Sequence, residues 1–416
     1  MSNLLINVFF LINVTLFFSA PIFAWDDSGH KLAAYIAWER MTPQAREMAI
    51  KILLNAPEDS QIMALHPTPP DIEISTYPIG ARSKLAKQRD FFMIVAYWAD
   101  IARERKYPNR FKFHHGTWHY LDTLWREVDG KIEVMQDETP DKENAVERLF
   151  YFDKVLKDSV TKDADKAVAL AWILHLGGDI HQPLHASGRV TDVEPKGDQG
   201  GNTFSLSPKD APRKENLHWF WDSIVIRSVA RKNDASDAEY LLPIAAKMMK
   251  KYPFEKMQSR LEIGQFDKWQ NESFQVASTK LYPSTLKRGE MPTENYRKMA
   301  FGIAEQQIVL AGYRMGEMLN QIFGQNTAVA VNSDQPCKII TKVRYPVTQT
   351  NPAGQPLEIC LLNLCPPNKG AVARPMYSTI VNGKTIDREY DIDKVFKTEK
   401  EAREYAAQNG IKDMSF

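Results

Sequence analysis

His175-Leu-Gly-Gly-Asp179-Ile-His-Gln-Pro-Leu-His185 decides how this chain is read. An imidazole and a carboxylate stand four positions apart, and in an α-helix that interval places both on one face, about one turn apart. The same pair recurs downstream in His218-Trp-Phe-Trp-Asp222. Neutral imidazole and ionised carboxylate are the nitrogen and oxygen ligands that Zn²⁺ accepts, and pairs converging from different helices can hold more than one ion. The expectation is a helical protein built around a cluster of catalytic zincs.

The sequence around this stretch supports helices. Lys31-Leu-Ala-Ala-Tyr-Ile-Ala-Trp38 carries apolar residues at helical spacing, and Thr42-Pro43 suits the cap and first position of a further helix. Helical patterns also cover 163–176, 237–251 and 295–322. Strand-like alternation is scarce before residue 325. The Gly/Pro/Asp-rich loop 188–216 reads as an ordered lobe of the site, because candidate ligands flank it.

After Gln325 the character changes. Lys338-Ile-Ile-Thr-Lys-Val-Arg-Tyr345, Leu357-Glu-Ile-Cys-Leu-Leu and Tyr377-Ser-Thr-Ile-Val predict strands, Asn382-Gly383 a hairpin turn, and 398–409 a short helix. The fold class is therefore mainly α over residues 25–325, with a small C-terminal α+β domain over 326–416 of unknown role.

Residues 1–24 hold no charged side chain and end in Ser-Ala-Pro-Ile-Phe-Ala24, which reads as an export signal cleaved before Trp25; an uncleaved membrane anchor is the alternative. A secreted or periplasmic protein follows. Cys337, Cys360 and Cys365 all lie near the C-terminus, so they do not staple the histidine-rich part; one disulfide plus a thiol, or three thiols, both fit. Fifty-three basic residues against 52 acidic ones nearly cancel, so net charge gives no argument for tight, nonspecific binding to duplex DNA. Any recognition of a polyanion must be local. The segment 103–112, with five basic residues against one acidic and Tyr107 and Phe111 among them, reads either as a wetted surface or as a track for a single-stranded backbone.

Trp25 with His30 five positions on, then Trp98-Ala-Asp100, Trp118-His119-Tyr120, the 175–185 stretch, Gly200-Gly201-Asn202 and Asn216-Leu-His218-xx-Trp-Asp222 occur in an order that resembles the zinc-dependent single-strand-specific nucleases of the S1/P1 type. That family is related to 3′-nucleotidase/nucleases and to bacterial zinc phospholipase C, and shares their helical fold. The resemblance covers residues 25–325. It implies three Zn²⁺: one held by Asp100, His119, His175 and Asp179; a second bridged by Asp179 and held by His30 and the terminal amine and carbonyl of Trp25; a third held by His185, His218 and Asp222. It further implies that Asp100 orients the attacking water, that Arg103 and Asn202 hold the phosphate, and that Tyr120 and Asp122 receive an unpaired base. A main-chain amine becomes a ligand only after the preceding peptide bond is cut, so processing before Trp25 would complete the site.

The implied activity is a phosphodiesterase acting on RNA and single-stranded DNA, leaving 5′-phosphates, with 3′-nucleotidase activity alongside. The substrate is single-stranded nucleic acid or a nucleotide, and no obligate protein partner is expected. The rival enzyme reading is a zinc phospholipase C acting on phospholipid; those lipases resemble His-xxx-Glu at the third metal, where this chain has His218-xxx-Asp222. The remaining reading is a non-catalytic zinc-binding or adhesion protein.

Overall fold

A computed structural model describes residues 25–67, 85–135 and 141–324 with their side chains, and by backbone alone residue 84 and four short strands within 359–413. The helices, in chain order, are α1 Asp27–Arg40, α2 Pro43–Leu53, α3 Lys84–Val95, α4 Trp98–Ala102, α5 Arg110–Phe113, α6 Ala145–Lys157 and α7 Asp163–Asp179. They continue as α8 Leu217–Asp222, α9 Ile224–Ser228, α10 Asp237–Lys251, α11 Phe254–Met257, α12 Phe266–Lys280 and α13 Glu294–Phe323.

Several helix starts follow from local chemistry. Thr42 caps α2 through its hydroxyl, with Pro43 at the first position, where its missing N–H costs nothing. Ser236 and Glu239 form a reciprocal capping box at α10. Asn144 and Asn216 cap α6 and α8 with their side-chain oxygens.

The helix α7 is apolar nearly all round, so it has no face for water and is buried from Ala169 to Asp179. Helices α1, α2, α6 and α13 pack around it. The long α13 lies close against α1 because Gly312 and Gly316 leave room: an added Cβ would stand 2.5 Å from Ile36 Cβ and 2.8 Å from the Ala37 carbonyl oxygen respectively. Trp38, Trp98, Trp172 and Trp221 are among the largest fully buried side chains of the resulting core.

A small sheet departs from the expectation that strands are scarce before residue 325. Strand β1 (Thr123–Val128) pairs antiparallel with β2 (Lys131–Val134) and parallel with β3 (Ser187–Arg189). Its origin is visible in hindsight: Asp129-Gly130 is a two-residue hairpin signal, and both residues have positive φ, 49° and 73°. The parallel partner, Ser187–Arg189, begins the Gly/Pro/Asp-rich loop. Beyond it the loop is ordered by Asp198, which is buried and accepts hydrogen bonds from the Arg189 amide at 2.9 Å and the Tyr282 hydroxyl at 2.6 Å.

In the C-terminal region β4 (Ile359–Leu361) pairs in parallel with β7 (Ile411–Asp413), and β5 (Met376–Val381) pairs antiparallel with β6 (Lys384–Glu389). The register Val381↔Lys384 leaves two residues between the latter strands. The leader 1–24, the strand expected over 338–345, the turn at 382–383 and the helix expected over 398–409 lie outside the described residues. Among the described residues no helix is long and apolar enough to cross a membrane.

Candidate metal centre

The centre is assembled from the ends of four helices and two turns. His175 and Asp179 sit on one face of α7, His218 and Asp222 on one face of α8, Asp100 in α4, and His30 in α1. The turn Gly116–His119 supplies His119, and the turn Pro183–Ala186 supplies His185. All eight side chains are buried, none more than 3% exposed.

Their donor atoms fall into three groups within which all atoms lie within 4.8 Å of one another: His30, Asp100 and His175; His119, His175 and Asp179; His185, His218 and Asp222. Donors about 2.0–2.1 Å from a tetrahedral zinc stand about 3.3 Å from each other. The observed separations are close to that edge. His175 Nε2 lies 2.9 Å from His119 Nδ1 and 3.2 Å from Asp179 Oδ2, and His119 Nδ1 is 3.1 Å from the same oxygen. On the other side of the carboxylate, Asp179 Oδ1 lies 3.3 Å from His30 Nε2. Asp179 thus turns one oxygen toward His119 and His175 and the other toward His30, the arrangement a bridging carboxylate requires. In the third group His218 Nε2 stands 3.4 Å from Asp222 Oδ2, and His185 Nε2 is 3.9 Å from Asp222 Oδ1.

The outward nitrogens of three rings are already committed. The Nδ1 atoms of His175, His185 and His218 bond at 2.8, 2.7 and 2.7 Å to the carbonyl oxygens of Ala96, His119 and Gly200. A carbonyl only accepts, so each Nδ1 carries the proton and each Nε2 turns a lone pair inward, as metal-bound imidazoles do. Gly200 makes its bond possible by standing at φ +60°, where a Cβ would collide with the Leu184 carbonyl oxygen at 2.4 Å.

Unsatisfied atoms collect at the same place. Both oxygens of Asp100, Asp179 Oδ1, Asp222 Oδ2, and the Nε2 atoms of His30, His119 and His185 are enclosed without a hydrogen bond. Buried polar atoms without partners are rare and costly, and here they share one pocket and one ligand chemistry. The residues therefore fit zinc.

The two carboxylates at the ends of α7 and α8 are held oppositely. Burial, together with Asp100, Asp179 and Asp26, pushes the Asp222 carboxyl well above the usual range. Although burial opposes it, the adjacent His175, His119 and His30 imidazoles hold Asp179 well below its ordinary value. Burial and the neighbouring His175 press His30 down to about 4, so it is a neutral ligand near pH 7.

Trp25 is fully buried beside α7, its indole Nε1 donating to the Gly178 carbonyl at 3.1 Å, while the next amide, Asp26, donates to the Asp222 carbonyl at 2.9 Å. Those two bonds pin the chain at residue 25 against the helices that carry Asp179 and Asp222. Arg103 sits one turn after Asp100, with its guanidinium 3.2 Å from the carboxylate. Asn202 lies in the loop at the foot of α8, its amide nitrogen donating to the Gln199 carbonyl at 2.9 Å and its oxygen facing Asn216 at 3.5 Å. Tyr120 and Asp122 are half-buried; burial with Asp198 and Asp141 raises the Asp122 carboxyl well above the usual range.

Sequence reasoning passed over Gln182. Its side chain is buried and its amide nitrogen donates to Asp222 Oδ1 at 2.7 Å, while its oxygen accepts from the Leu184 amide at 2.7 Å. Its place beside Pro183 was visible, but its aim at a residue forty positions away was not. His181 proves structural: Nδ1 donates to the Gly177 carbonyl at 2.7 Å, and Nε2 meets the buried Arg314 guanidinium at 2.7 Å.

A mainly helical body that turns eight buried imidazoles and carboxylates into one pocket defines a metal-dependent hydrolase. The S1/P1 Nuclease family profile matches residues 25–324, and the chain belongs to that family. It is similar to Endonuclease 2 of Arabidopsis thaliana, 25% identical over 337 residues that cover 76% of this chain and 97% of the relative. Endonuclease 1 of the same plant is 29% identical over 39% of this chain, and Endonuclease 4 is 30% identical over 32%. These two matches span only 52% and 45% of the relatives' own lengths.

Proposed function

We propose that this nuclease is an exported, zinc-dependent phosphodiesterase that cleaves RNA and single-stranded DNA to 5′-phosphate products and also removes phosphate from 3′-nucleotides. The observation that carries this reading is the split carboxylate of Asp179, one oxygen toward His119 and His175 and the other toward His30. Three zincs would be held in this pocket: one by Asp100, His119, His175 and Asp179, a second by His30 and Asp179 with the amine and carbonyl of a freed Trp25, and a third by His185, His218 and Asp222. Zinc bound there supplies Lewis-acid stabilisation of phosphate oxygens and lets water act as a nucleophile near neutral pH.

The protein's own groups do the rest. Arg103, steadied by Asp100, takes two phosphate oxygens in its planar fork. Asp100 accepts a hydrogen bond from the attacking water and directs it at phosphorus. Asn202 donates to a further phosphate oxygen. As the water oxygen bonds to phosphorus, the bond to the 3′-oxygen breaks, a proton passes to that oxygen, and the phosphate stays on the 5′ side. Tyr120 offers a stacking face, and Asp122 a hydrogen-bonding group, to a base free to leave its neighbours; a paired base would first have to be opened.

The deciding test compares protein beginning at Trp25 with protein retaining Ala24 before it. The expected result is three zincs and cleavage of denatured DNA and RNA in the first, and loss of one zinc and of cleavage in the second. Equal zinc content and activity would remove Trp25 from the site. Turnover of phosphatidylcholine without cleavage of nucleic acid would overturn the substrate assignment.

A further inference from the structure

The segment that follows Asp100 contains two aromatic residues with opposite fates. Tyr107 is an anchor: its hydroxyl donates to the Ser60 carbonyl and accepts from Trp98 Nε1 at 2.9 Å, which ties it to the helix that carries Asp100. Phe111 is 87% exposed, although burying such an apolar ring is favourable. Asn109, at φ 56°, turns the chain back between them. Helix α5 is fixed back on the preceding turn by Arg110, whose Nε donates to the Arg103 carbonyl at 2.7 Å, and Lys112 pairs with Asp59. The ribbon is thus held in shape before anything binds.

Its charge is one-sided. Arg103, Arg105, Lys106, Arg110 and Lys112 face a single acidic residue, Glu104, and Arg105 and Lys106 are exposed. His114 closes the ribbon, its amide bonded to the Arg110 carbonyl at 2.7 Å. Its ring is half-buried, with Nδ1 enclosed and making no hydrogen bond. Its imidazole lies near Arg110, His119 and Arg103, whose charges add to burial in pressing it down to about 4.

We propose that residues 103–114 form a subsite for the single strand next to the scissile bond, in which Arg110 and His114 take the phosphate adjacent to the one at Arg103, and Phe111 stacks on a base farther out. This deepens the nuclease reading and rests on it. Two donors and a preformed ring suit a backbone with exposed bases, and stacking of this kind tolerates any sequence. The subsite favours a polymer over a substrate with a single phosphate.

The test measures kcat/KM on a dinucleoside monophosphate, which has only the scissile phosphate, and on an octanucleotide of the same bases. In Arg110→Gln and Phe111→Ala the ratio of octanucleotide to dinucleotide kcat/KM should fall roughly tenfold each. For Arg110→Gln the slope of log kcat/KM against log salt on the octanucleotide should also flatten by about 0.7. Phe111→Ala touches an exposed ring, so misfolding does not confound it. An unchanged ratio in both variants overturns the subsite while leaving the nuclease reading intact; a wild-type protein that cleaves neither substrate overturns that reading as well. Equal competition by a poly-glutamate peptide and by the octanucleotide would also overturn it, reassigning the ribbon to acidic proteins.

Discussion

Gln182 shows how a neutral amide can set the geometry of a charged ligand. Its donation to Asp222 Oδ1 leaves Oδ2 as the oxygen nearer His218 Nε2, at 3.4 Å. Rotation of the amide is blocked because its own oxygen is held by the Leu184 amide. Partners of this kind behind a metal ligand are typically worth about 10–100-fold in metal affinity. Gln182→Ala should therefore weaken zinc at the His185–His218–Asp222 group by that factor, read by chelator competition with zinc counted by mass spectrometry. Zinc retention equal to the wild type would show that the amide only fills space. The pair partners on each helix were legible because the interval of four has a fixed meaning in an α-helix. Gln182 was not, since α7 ends at Asp179 and the direction of the side chain depends on the turn after it.

At the scale of elements, the site depends on how closely α1 approaches α7. A Cβ on Gly178 would stand 2.7 Å from His30 Nδ1, so the absence of a side chain is what lets His30 reach Asp179. Gly178→Ala should keep the helical circular dichroism but lower zinc content, because the ring must retreat from its 3.3 Å approach to Asp179. Full zinc content in this variant would mean that α1 moves as a body at little cost. A second contact ties α1 to α10: Lys31, nearly buried, bonds Asp237 at 2.6 Å and Asp27 at 2.9 Å. Burial raises Asp237, but Lys31 and Arg231 outweigh it and hold the carboxyl below its ordinary 3.8. A depressed folded-state value stabilises the protein above pH 3.8 and loses that effect as pH falls through the lowered value. Lys31→Met should accordingly unfold at lower urea concentration at pH 7, with the difference from wild type shrinking at pH 3. A constant difference at both values would assign the effect to packing. The expectations for α1, α7, α10 and α13 came from apolar spacing and matched the elements within a few residues. The sheet was missed because β3 has only three residues, Ser187–Arg189, too few to show alternation, and is defined by its partner.

For the molecule as a whole, ions and fold are coupled. The pocket gathers candidate ligands from α1, α4, α7 and α8 and from the turns at His119 and His185, so an ion bound there would crosslink segments far apart in sequence. Without ions, Asp100, Asp179 and Asp222 leave enclosed oxygens that accept no hydrogen bond, and such groups cost free energy that the unfolded chain, open to water, does not incur. An ion that binds only the folded protein stabilises it by RT ln(1 + [L]/Kd), about 4 kcal/mol per site at a thousandfold excess over Kd. Chelation should therefore lower the unfolding temperature markedly, and zinc titrated back should raise it in steps that track the ions bound. Asp179→Asn should remove more of that gain than Asp222→Asn, because Asp179 faces two groups of ligands and Asp222 faces one. Calorimetric scans of the wild type and both variants, each with chelator and with zinc, separate the two effects. If the chelated and loaded wild-type proteins melted together, the ions would be mere visitors to a rigid pocket, and the coupling of fold to metal would be refuted even if catalysis survived.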